Sequence, residues 1–442
     1  MADVTITYKG ANIATMDATG SKTLQTAGTY CEGDIGVEYV KPGGGGPISV
    51  PAKEVNFRDY DGTVVYSYTP AEFAALTAMP ANPDHSGDEI PLTSQGWNWS
   101  FADAQAYVAK YGRLEVGQMY ITTDGKTHIK IYIDPDTPAN RMTFYLRWTQ
   151  SVSNGVTVDW GDGSATQTYS GTSAANHDHT YTAGGWYDIT LTVTSGTVSF
   201  VGDSSNRIYG SSATANTYNR SRIIEIYFGQ GLAAGGIGDY LAYLCYGLSI
   251  VTLPSGVTSI GAYAFSYVEG LSSITVPHGV TSINNRAFNT DYGLSSVSIP
   301  NSVTGVGAYA FTYCNALIKA TLPDSVRSIG ESAFQGCNSL AFVNVSDDLN
   351  GLIKYSFSGC NNLTSITIPE SVVSIEGYTF SNNYGMGEYH FNRATPPLLA
   401  NTNAFNNIPS DCVIYVPRGS LNSYKTATNW STYASHMQEE PQ

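Results

Sequence analysis

Basic residues are scarce in this chain of 442 residues. Lys and Arg total 21 against 36 Asp and Glu, which gives a formal net charge of −15. A chain of that sign repels phosphate backbones and anionic headgroups, which speaks against nucleic acid and anionic membrane as partners. Charged residues make up only 13% of the chain, whereas Gly (45) and Tyr (32) are abundant. This balance is typical of extracellular β-rich proteins.

Long apolar runs are missing as well. No stretch approaches the roughly 20 apolar residues that a membrane span requires, so we expect no membrane insertion. The opening residues Met1–Ile6 contain neither the basic start nor the apolar run of a signal peptide, so we expect none. We therefore expect a chain that is made in a cytoplasm and is either kept there or released by lysis or a non-classical route, unless its signal has already been removed.

The sequence also lacks the common catalytic and metal-binding motifs. It contains no Gly-x-Ser-x-Gly, no His-Glu-x-x-His and no closely spaced cysteine pair. The His177-Asp178-His179 cluster fits a structural strand better than a metal site. We therefore expect neither an enzyme nor a cofactor. A glycan-degrading enzyme in 51–138 stays as the less favoured alternative, because such enzymes need only two well-placed carboxylates.

What the second half does contain is a repeat of 23 residues. The repeat phenylalanines lie at the same position of each unit: Phe265, Phe288, Phe311, Phe334, Phe357 and Phe380. Prolines keep the same step: Pro254, Pro277, Pro300, Pro323 and Pro369. A fixed period in this range predicts a solenoid, in which each coil buries its apolar face against its neighbours. We place it at 223–416, about seven coils of 23 residues.

Each coil is expected to start with a short strand, such as Ile274–Val276, that its proline ends. Columns of Val and Ile then form the stacked core. Four cysteines also share one column: Cys245, Cys314, Cys337 and Cys360. One shared core position per coil predicts buried, reduced thiols in place of disulfides.

These phrases strongly resemble the BspA type of leucine-rich repeat, which occurs in bacterial surface proteins and in phage and parasite proteins. The coil at 340–362 departs from the pattern, since Ser346 replaces the proline and Leu352 replaces the isoleucine. Residues 417–442 resemble the closing cap of the same family. A cap is required physically, because the last coil would otherwise expose a strand edge and its apolar columns.

The first half predicts several smaller units, so the fold class is multidomain and mainly β. We divide it into a small β-module at 1–42, a Gly-rich linker at 43–50, an α+β module at 51–138, a β-sandwich at 139–201 and a connector at 202–222. Within the α+β module, an Asp61-Gly62 turn predicts a hairpin. Thr69 and Ser100 are candidate helix caps. A second hairpin is predicted across Asp124-Gly125.

Residues 139–201 resemble the polycystic-kidney-disease (PKD) domain, a small β-sandwich. The resemblance is carried by Trp160-Gly161-Asp162-Gly163, by His179-Thr180-Tyr181 and by the alternating strand that ends at Val193. Some members of that family bind Ca²⁺, which makes Asp159 and Asp162 weak candidates. The favoured interpretation is that Asp162 caps its own turn.

Blocks of 51–138 also resemble modules of phage and prophage tail or receptor-binding proteins of gut bacteria. Together with the repeats, this implies a modular adhesion protein in a phage tail, located on the virion. Its partners would be a bacterial surface glycan or protein receptor, and other tail proteins through the N-terminal modules. A bacterial cell-surface adhesin is the alternative. Whether the chain forms a homo-oligomer is left open.

Two tyrosine columns are the candidate binding residues. Tyr240, Tyr263, Tyr309, Tyr355 and Tyr378 share one position of the repeat, and Tyr267 and Tyr313 share another. One interpretation is that they pack over the convex side of the coils with wet hydroxyls. The other is a ladder of aromatic faces that stacks on sugars or on a protein receptor.

Overall fold

A computed structural model describes residues 55–200, 206–211 and 219–441, together with four strands between residues 4 and 38. The chain divides into two compact units, 1–50 and 51–442. The first unit contains the antiparallel strands β1 (Val4–Tyr8), β2 (Ala11–Met16), β3 (Lys22–Leu24) and β4 (Ile35–Glu38) in the order β3-β2-β1-β4. The predicted linker at 43–50 lies outside the described residues, as does most of the predicted connector.

The second unit begins with an α+β segment, 55–122. Its elements are β5 (Val55–Arg58), β6 (Val64–Tyr68), α1 (Pro70–Ala74), β7 (Leu92–Trp97), α2 (Phe101–Tyr111) and β8 (Leu114–Thr122). Thr69 and Glu72 form the capping box of α1, and Ser100 caps α2. Gly112 ends α2 at a φ of 66°, a backbone conformation that is unfavourable for residues with a Cβ. These local signals were all readable in the sequence.

The hairpin predicted across Asp124-Gly125 is wrong. Strand β8 stays in the sheet β6-β5-β8-β7, whereas the next strand, β9 (Thr127–Ile133), belongs to a different sheet. Strand β9 pairs with β14 (Gly185–Val193) and β18 (Ile223–Tyr227). The physical reason is that Ile129, Ile131 and Ile133 alternate into the core of the following sheets. A tight turn therefore passes the chain from one sheet to another.

Two sheets follow the α+β segment, and a 3₁₀ helix, Ala139–Arg141, lies between β9 and the next strand, β10. The remaining strands are β10 (Thr143–Gln150), β11 (Val156–Asp159), β12 (Gln167–Tyr169), β13 (Ala175–Thr180), β15 (Val198–Phe200), β16 (Asn206–Arg207), β17 (Gly210–Ser211), β19 (Leu232–Ile237) and β20 (Ile250–Thr252). One sheet has the order β13-β10-β15-β19 and the other β12-β11-β14-β9-β18-β20, while β16 and β17 pair separately.

The six-stranded sheet crosses the boundaries predicted at 138 and 222, because β9 and β18 both belong to it. Its last strand, β20, pairs in parallel with β18 and is also the strand of an early coil. The buried side chains of both sheets and of the repeats form a single hydrophobic core. The sheets and the repeat array are therefore built as one continuous body.

In the repeat array each coil contributes a short strand to one side of the array, which we call the strand face, and these strands form several short parallel sheets. Its strands after β20 are β21 (Ser273–Thr275), β23 (Ser296–Ser298), β25 (Lys319–Ala320), β27 (Phe342–Val343), β29 (Ser365–Ile368), β31 (Glu388–Phe391) and β33 (Val413–Val416). A second row of strands forms two sheets, one of β22 (Ser282–Ile283), β24 (Gly305–Val306) and β26 (Ser328–Ile329), the other of β28 (Gly351–Leu352), β30 (Ser374–Ile375) and β32 (Leu398–Leu399). Pairing is parallel throughout, as a solenoid requires.

The core columns of the solenoid prediction are confirmed. The repeat phenylalanines stack with ring centroids 5.3–5.9 Å apart, and all of them are buried. The column cysteines are buried, and Cys314, Cys337 and Cys360 are thiols outside any disulfide. Cys314, for example, donates its thiol to the carbonyl of Phe288 at 3.1 Å. Ser346 keeps the irregular coil in register, because its hydroxyl donates to the carbonyl of Asp324 at 2.8 Å.

The array ends in helix α3 (Leu421–Thr426), a 3₁₀ helix (Trp430–His436) and β34 (Met437–Glu439), which extends the strand face beyond β33. Trp430 is buried and packs against Phe405, the last ring of the phenylalanine column. Its indole N–H donates to the carbonyl of Pro397 at 2.8 Å. These residues cover the end of the apolar columns. Within the described ranges, no helix combines the length and apolar character that crossing a bilayer would need.

Candidate receptor-binding surface

The tyrosine columns lie where the backbone turns with a positive φ. In the first column φ is between 56° and 61° at every coil: Tyr240, Tyr263, Arg286, Tyr309, Ser332, Tyr355 and Tyr378. We call this column the tyrosine ladder. A second left-handed column runs through Leu244, Tyr267, Thr290, Tyr313, Gly336, Gly359 and Asn382. A left-handed conformation costs an L-residue roughly 1–2 kcal/mol. The backbone conformation therefore does not explain why tyrosine recurs in this column.

The rings of the ladder stack along the array. Tyr240 and Tyr263 are parallel to within 7°, with centroids 4.6 Å apart. Tyr355 and Tyr378 stack at 5.0 Å. All of these side chains are half-buried. The ladder therefore presents ring edges and hydroxyls along one line of the molecule.

Arg286 is a member of the ladder that the sequence analysis missed. Its guanidinium lies 5.3 Å from the ring centroid of Tyr263 and 4.5 Å from that of Tyr309, so a cation is placed between two aromatic rings. It also donates a hydrogen bond to the Tyr263 hydroxyl. The column step, 263 + 23 = 286, would have found it. Ser332 interrupts the ladder between Tyr309 and Tyr355.

The second column contributes a more open tyrosine. Tyr313 is 47% exposed. A Cβ at Gly336 would lie 2.5 Å from its ring, so this glycine makes the space in which the ring rests. Tyr267 meets Tyr243 edge to face, with centroids 5.9 Å apart, and Tyr243 in turn meets Tyr240 and Tyr263. At the start of the array the two predicted tyrosine columns are thus joined into one aromatic cluster.

The strand face, by contrast, is covered by the α+β segment. Asn98 is buried and donates to the carbonyl of Val276 at 2.9 Å and to the hydroxyl of Ser298 at 3.0 Å. The indole of Trp99 donates to the carbonyl of Ile299 at 3.0 Å, and the Tyr107 hydroxyl donates to the carbonyl of Leu322 at 3.1 Å. These residues thus dock the α+β segment on the array.

Charge pairs and glycines complete this contact. Glu115 is buried and pairs with Arg58 at 2.6 Å and with Lys319 of the array at 3.4 Å. Lys110 bridges Asp324 at 2.9 Å and Asp347 at 2.7 Å. At Gly117 an added Cβ would lie 2.1 Å from Thr275, so only glycine allows the sheet to approach this closely. The strand face is therefore occupied over much of its length.

The weak calcium candidates are engaged with protein groups. Asp162 accepts from the backbone N–H of Ser164 at 3.0 Å and contacts His179 at 2.7 Å. Burial alone would raise the pKa of Asp162, but the hydrogen bonds with Ser164 and His179 lower it to about 2. Asp159 accepts from the N–H of Gly161 at 2.9 Å. Among the described residues, no group of three His, Cys, Asp or Glu is arranged to hold a metal ion.

A carboxylate-histidine cluster in the α+β segment was also missed by the sequence analysis. His85 lies between Asp59, 2.8 Å from its Nε2, and Asp88, 2.7 Å from its Nδ1. Tyr60 and Tyr120 meet the imidazole edge to face. Burial opposes protonation, yet the two carboxylates raise the pKa of His85 above its usual range. No local spacing signals this cluster, because Asp59 and His85 come from separate loops.

Comparison with known proteins agrees with the geometry of the array. The family model of the BspA type leucine rich repeat region matches residues 235–352 and 304–420, with six copies. This part of the chain is a BspA-type leucine-rich repeat region. No curated protein matches the chain.

Several solved structures are similar. A leucine-rich repeat protein from Bacteroides ovatus is 22% identical over 45% of this chain and 54% of its own, with a TM-score of 0.32. A leucine rich repeat protein of T. pallidum is 28% identical over 38% of this chain and 67% of its own, with a TM-score of 0.28. A leucine rich cell surface protein from Faecalibacterium prausnitzii is 20% identical over 47% of this chain and 87% of its own, with a TM-score of 0.21. The chain thus spans about half of the length of the B. ovatus protein.

Proposed function

We propose that this chain is a modular adhesion or receptor-binding protein whose tyrosine ladder contacts a receptor on a bacterial surface. The observation that carries the proposal is the difference between the two sides of the array. The α+β segment covers the strand face through Asn98 and Trp99. The ladder residues Tyr263 and Tyr309, in contrast, meet neighbouring coils and remain partly exposed.

The chemistry of the ladder suits a glycan or a protein receptor. Tyrosine offers a large, rigid contact area at a small entropic cost, and its hydroxyl both donates and accepts. Arg286 supplies a cation between the rings of Tyr263 and Tyr309, and Lys354 lies 5.0 Å from the ring centroid of Tyr355. Since most of this surface is uncharged, we expect binding to depend weakly on salt. The proposal assigns the chain no reaction.

The finer form of the proposal places the protein in a phage tail, with its N-terminal modules attached to other tail proteins. The resemblance of 51–138 to tail modules supports this form. A bacterial cell-surface adhesin is the alternative, which the BspA-type repeats support equally. Both forms put the ladder outside a cell. Detecting the chain in purified particles, or on washed intact cells, separates the two.

The test replaces Tyr263, Tyr309 and Tyr355 with Asn together. Asn tolerates positive φ better than other non-glycine residues, so the turns are kept while the rings are removed. We expect attachment of the purified protein to host cells to fall by about tenfold or more, as for loss of clustered aromatic anchors. The matched control replaces the same residues with Phe, which keeps the rings and removes only the hydroxyls, so attachment should fall less than in the Asn variant. Unchanged attachment of the Asn variant would place the receptor site elsewhere.

A further inference from the structure

The six-stranded sheet carries an exposed aromatic pair outside the repeat array. Trp186 on β14 is 64% exposed and Tyr132 on β9 is 36% exposed. They are direct partners in the antiparallel register, and their ring centroids lie 5.0 Å apart at 46°. Their neighbours Ile131 and Ile189 point the other way into the core. Folding gains nothing from the exposure of this large indole, and its pairing with a second exposed ring makes this part of the sheet a candidate binding surface.

Each ring of the pair borders a groove. Trp186 lines one of about 600 Å³ with Glu89, Lys130, Asp188 and Glu225. The Lys130 ammonium lies 2.7 Å from Glu89 and 3.7 Å from Glu225, so donor and acceptor groups alternate along the groove. Tyr132 lines the other, of about 400 Å³, whose polar residues include Asp134, Asp136, Arg141 and Arg222. The aromatic pair therefore connects two polar grooves.

We propose that the Trp186–Tyr132 pair and its flanking grooves bind a neutral glycan chain. The C–H face of a pyranose ring is apolar and can lie on the indole, while its hydroxyls project sideways. There they can donate to the carboxylates of Glu89 and Asp188 and accept from the ammonium of Lys130. A groove on either side of the pair gives room for sugars before and after the stacked one.

The charge of the site selects among ligands. Carboxylates outnumber cations in the two linings, with Glu89, Asp134, Asp136, Asp188 and Glu225 against Lys130, Arg141 and Arg222. Excess negative charge opposes sulfated, phosphorylated and uronic-acid polymers. A stable interface with a protein buries about 800 Å² on each partner, which is wider than one aromatic pair. Neutral polysaccharide is the ligand class that fits both the rings and the charges.

The experiment uses the full chain in native gels that contain a neutral soluble polysaccharide, with mannan, β-glucan and xylan tried in turn. At least one should retard the protein. Trp186→Ala should weaken that retardation by about tenfold, the effect of removing a central aromatic anchor. Because Trp186 is exposed, this variant leaves no cavity, and its near-ultraviolet circular dichroism should match the parent outside the lost indole. Tyr384→Ala is the matched control, since Tyr384 is 63% exposed on the repeat array.

The outcomes separate this site from the tyrosine ladder. Retardation that Trp186→Ala loses, and that Tyr384→Ala and the ladder variants keep, supports the proposal. Absence of retardation with all three polysaccharides, or equal retardation of the parent and Trp186→Ala, overturns it. Loss in Tyr384→Ala as well would also overturn it, since the effect would then be unspecific. The ladder proposal is unaffected in each case, because its readout is attachment to cells.

Discussion

At the scale of single residues, the repeat array contains residues whose backbone adopts a left-handed conformation that residues with a Cβ disfavour. Tyrosine, arginine and serine all occupy the left-handed position of the tyrosine ladder. Because residues of such different chemistry share one φ, the coil geometry sets the conformation and the side chain is free to vary. The turn does not require tyrosine, so its repetition at five of these positions is explained by the surface that the side chains form.

His177 is a second residue whose environment has a measurable consequence. It stacks on Trp148 with ring centroids 3.9 Å apart. Burial lowers its pKa to about 4; the charge of Asp178 opposes this and that of Arg147 reinforces it. In the unfolded chain a histidine titrates near pH 6.5, so between about pH 6.5 and pH 4 only the unfolded chain binds the proton. The free energy of unfolding therefore falls as the pH decreases through this window.

We predict that His177→Phe, which keeps a ring on Trp148, removes part of this acid sensitivity. Urea unfolding followed by tryptophan fluorescence should give similar midpoints for variant and parent at pH 7. At pH 4.5 the variant should be the more stable of the two. Parallel pH profiles for both proteins would show that folding does not lower the pKa of His177.

At the scale of elements, the coil is the unit of stability. Its short strands hold few hydrogen bonds of their own, and each phenylalanine ring stacks between the rings of the coils before and after it. The stability of each coil therefore depends on packing against the coils next to it, as in other solenoids. The cap supplies the same contacts where the coils end, with Trp430 and Tyr433 against Phe405.

Phe334→Ala tests this dependence. Phe334 is fully buried, with ring neighbours at 5.3 Å and 5.6 Å, so the truncation should cost about 3–5 kcal/mol through the cavity that it leaves. Hydrogen exchange should accelerate over several adjacent coils and not in one alone. The control is Tyr313→Asn in a neighbouring coil, which removes an exposed ring and should change stability by less than about 0.5 kcal/mol. Exchange confined to the mutated coil would contradict the shared-core description.

At the scale of the whole molecule, docking of the α+β segment decides which surface of the array is available. The contact uses carbonyls of the strand face, which any coil would offer, and polar side chains of the segment that match them. Asn98 is central, because its amide also accepts from the N–H of Gly117 at 2.9 Å and so joins the segment's own sheet to the array.

Removing that amide should loosen the docked segment. Asn98→Ala leaves the carbonyl of Val276 and the hydroxyl of Ser298 short of a partner, at a cost of about 1–3 kcal/mol. We expect faster hydrogen exchange in β21 and β23 and earlier proteolysis of 55–122, with the distal coils unchanged. Lys110→Met is the comparison, since its ion pairs are solvent-exposed and should contribute less than about 1 kcal/mol. Equal effects of the two variants would mean that Asn98 does not anchor the contact.

The sequence by itself determined the repeat register, the buried phenylalanine and cysteine columns, the helix caps and the tyrosine positions of the candidate surface. These features are local or follow from a fixed step of 23 residues, so they are visible in one dimension. Only the tertiary structure decided the sheet partners of β9, the covering of the strand face, the place of Arg286 between two rings and the exposure of Trp186. The reason is that strand pairing and docking join residues far apart in the chain, and neither hydrophobic period nor residue type specifies which distant partner a backbone carbonyl or a sheet edge will meet.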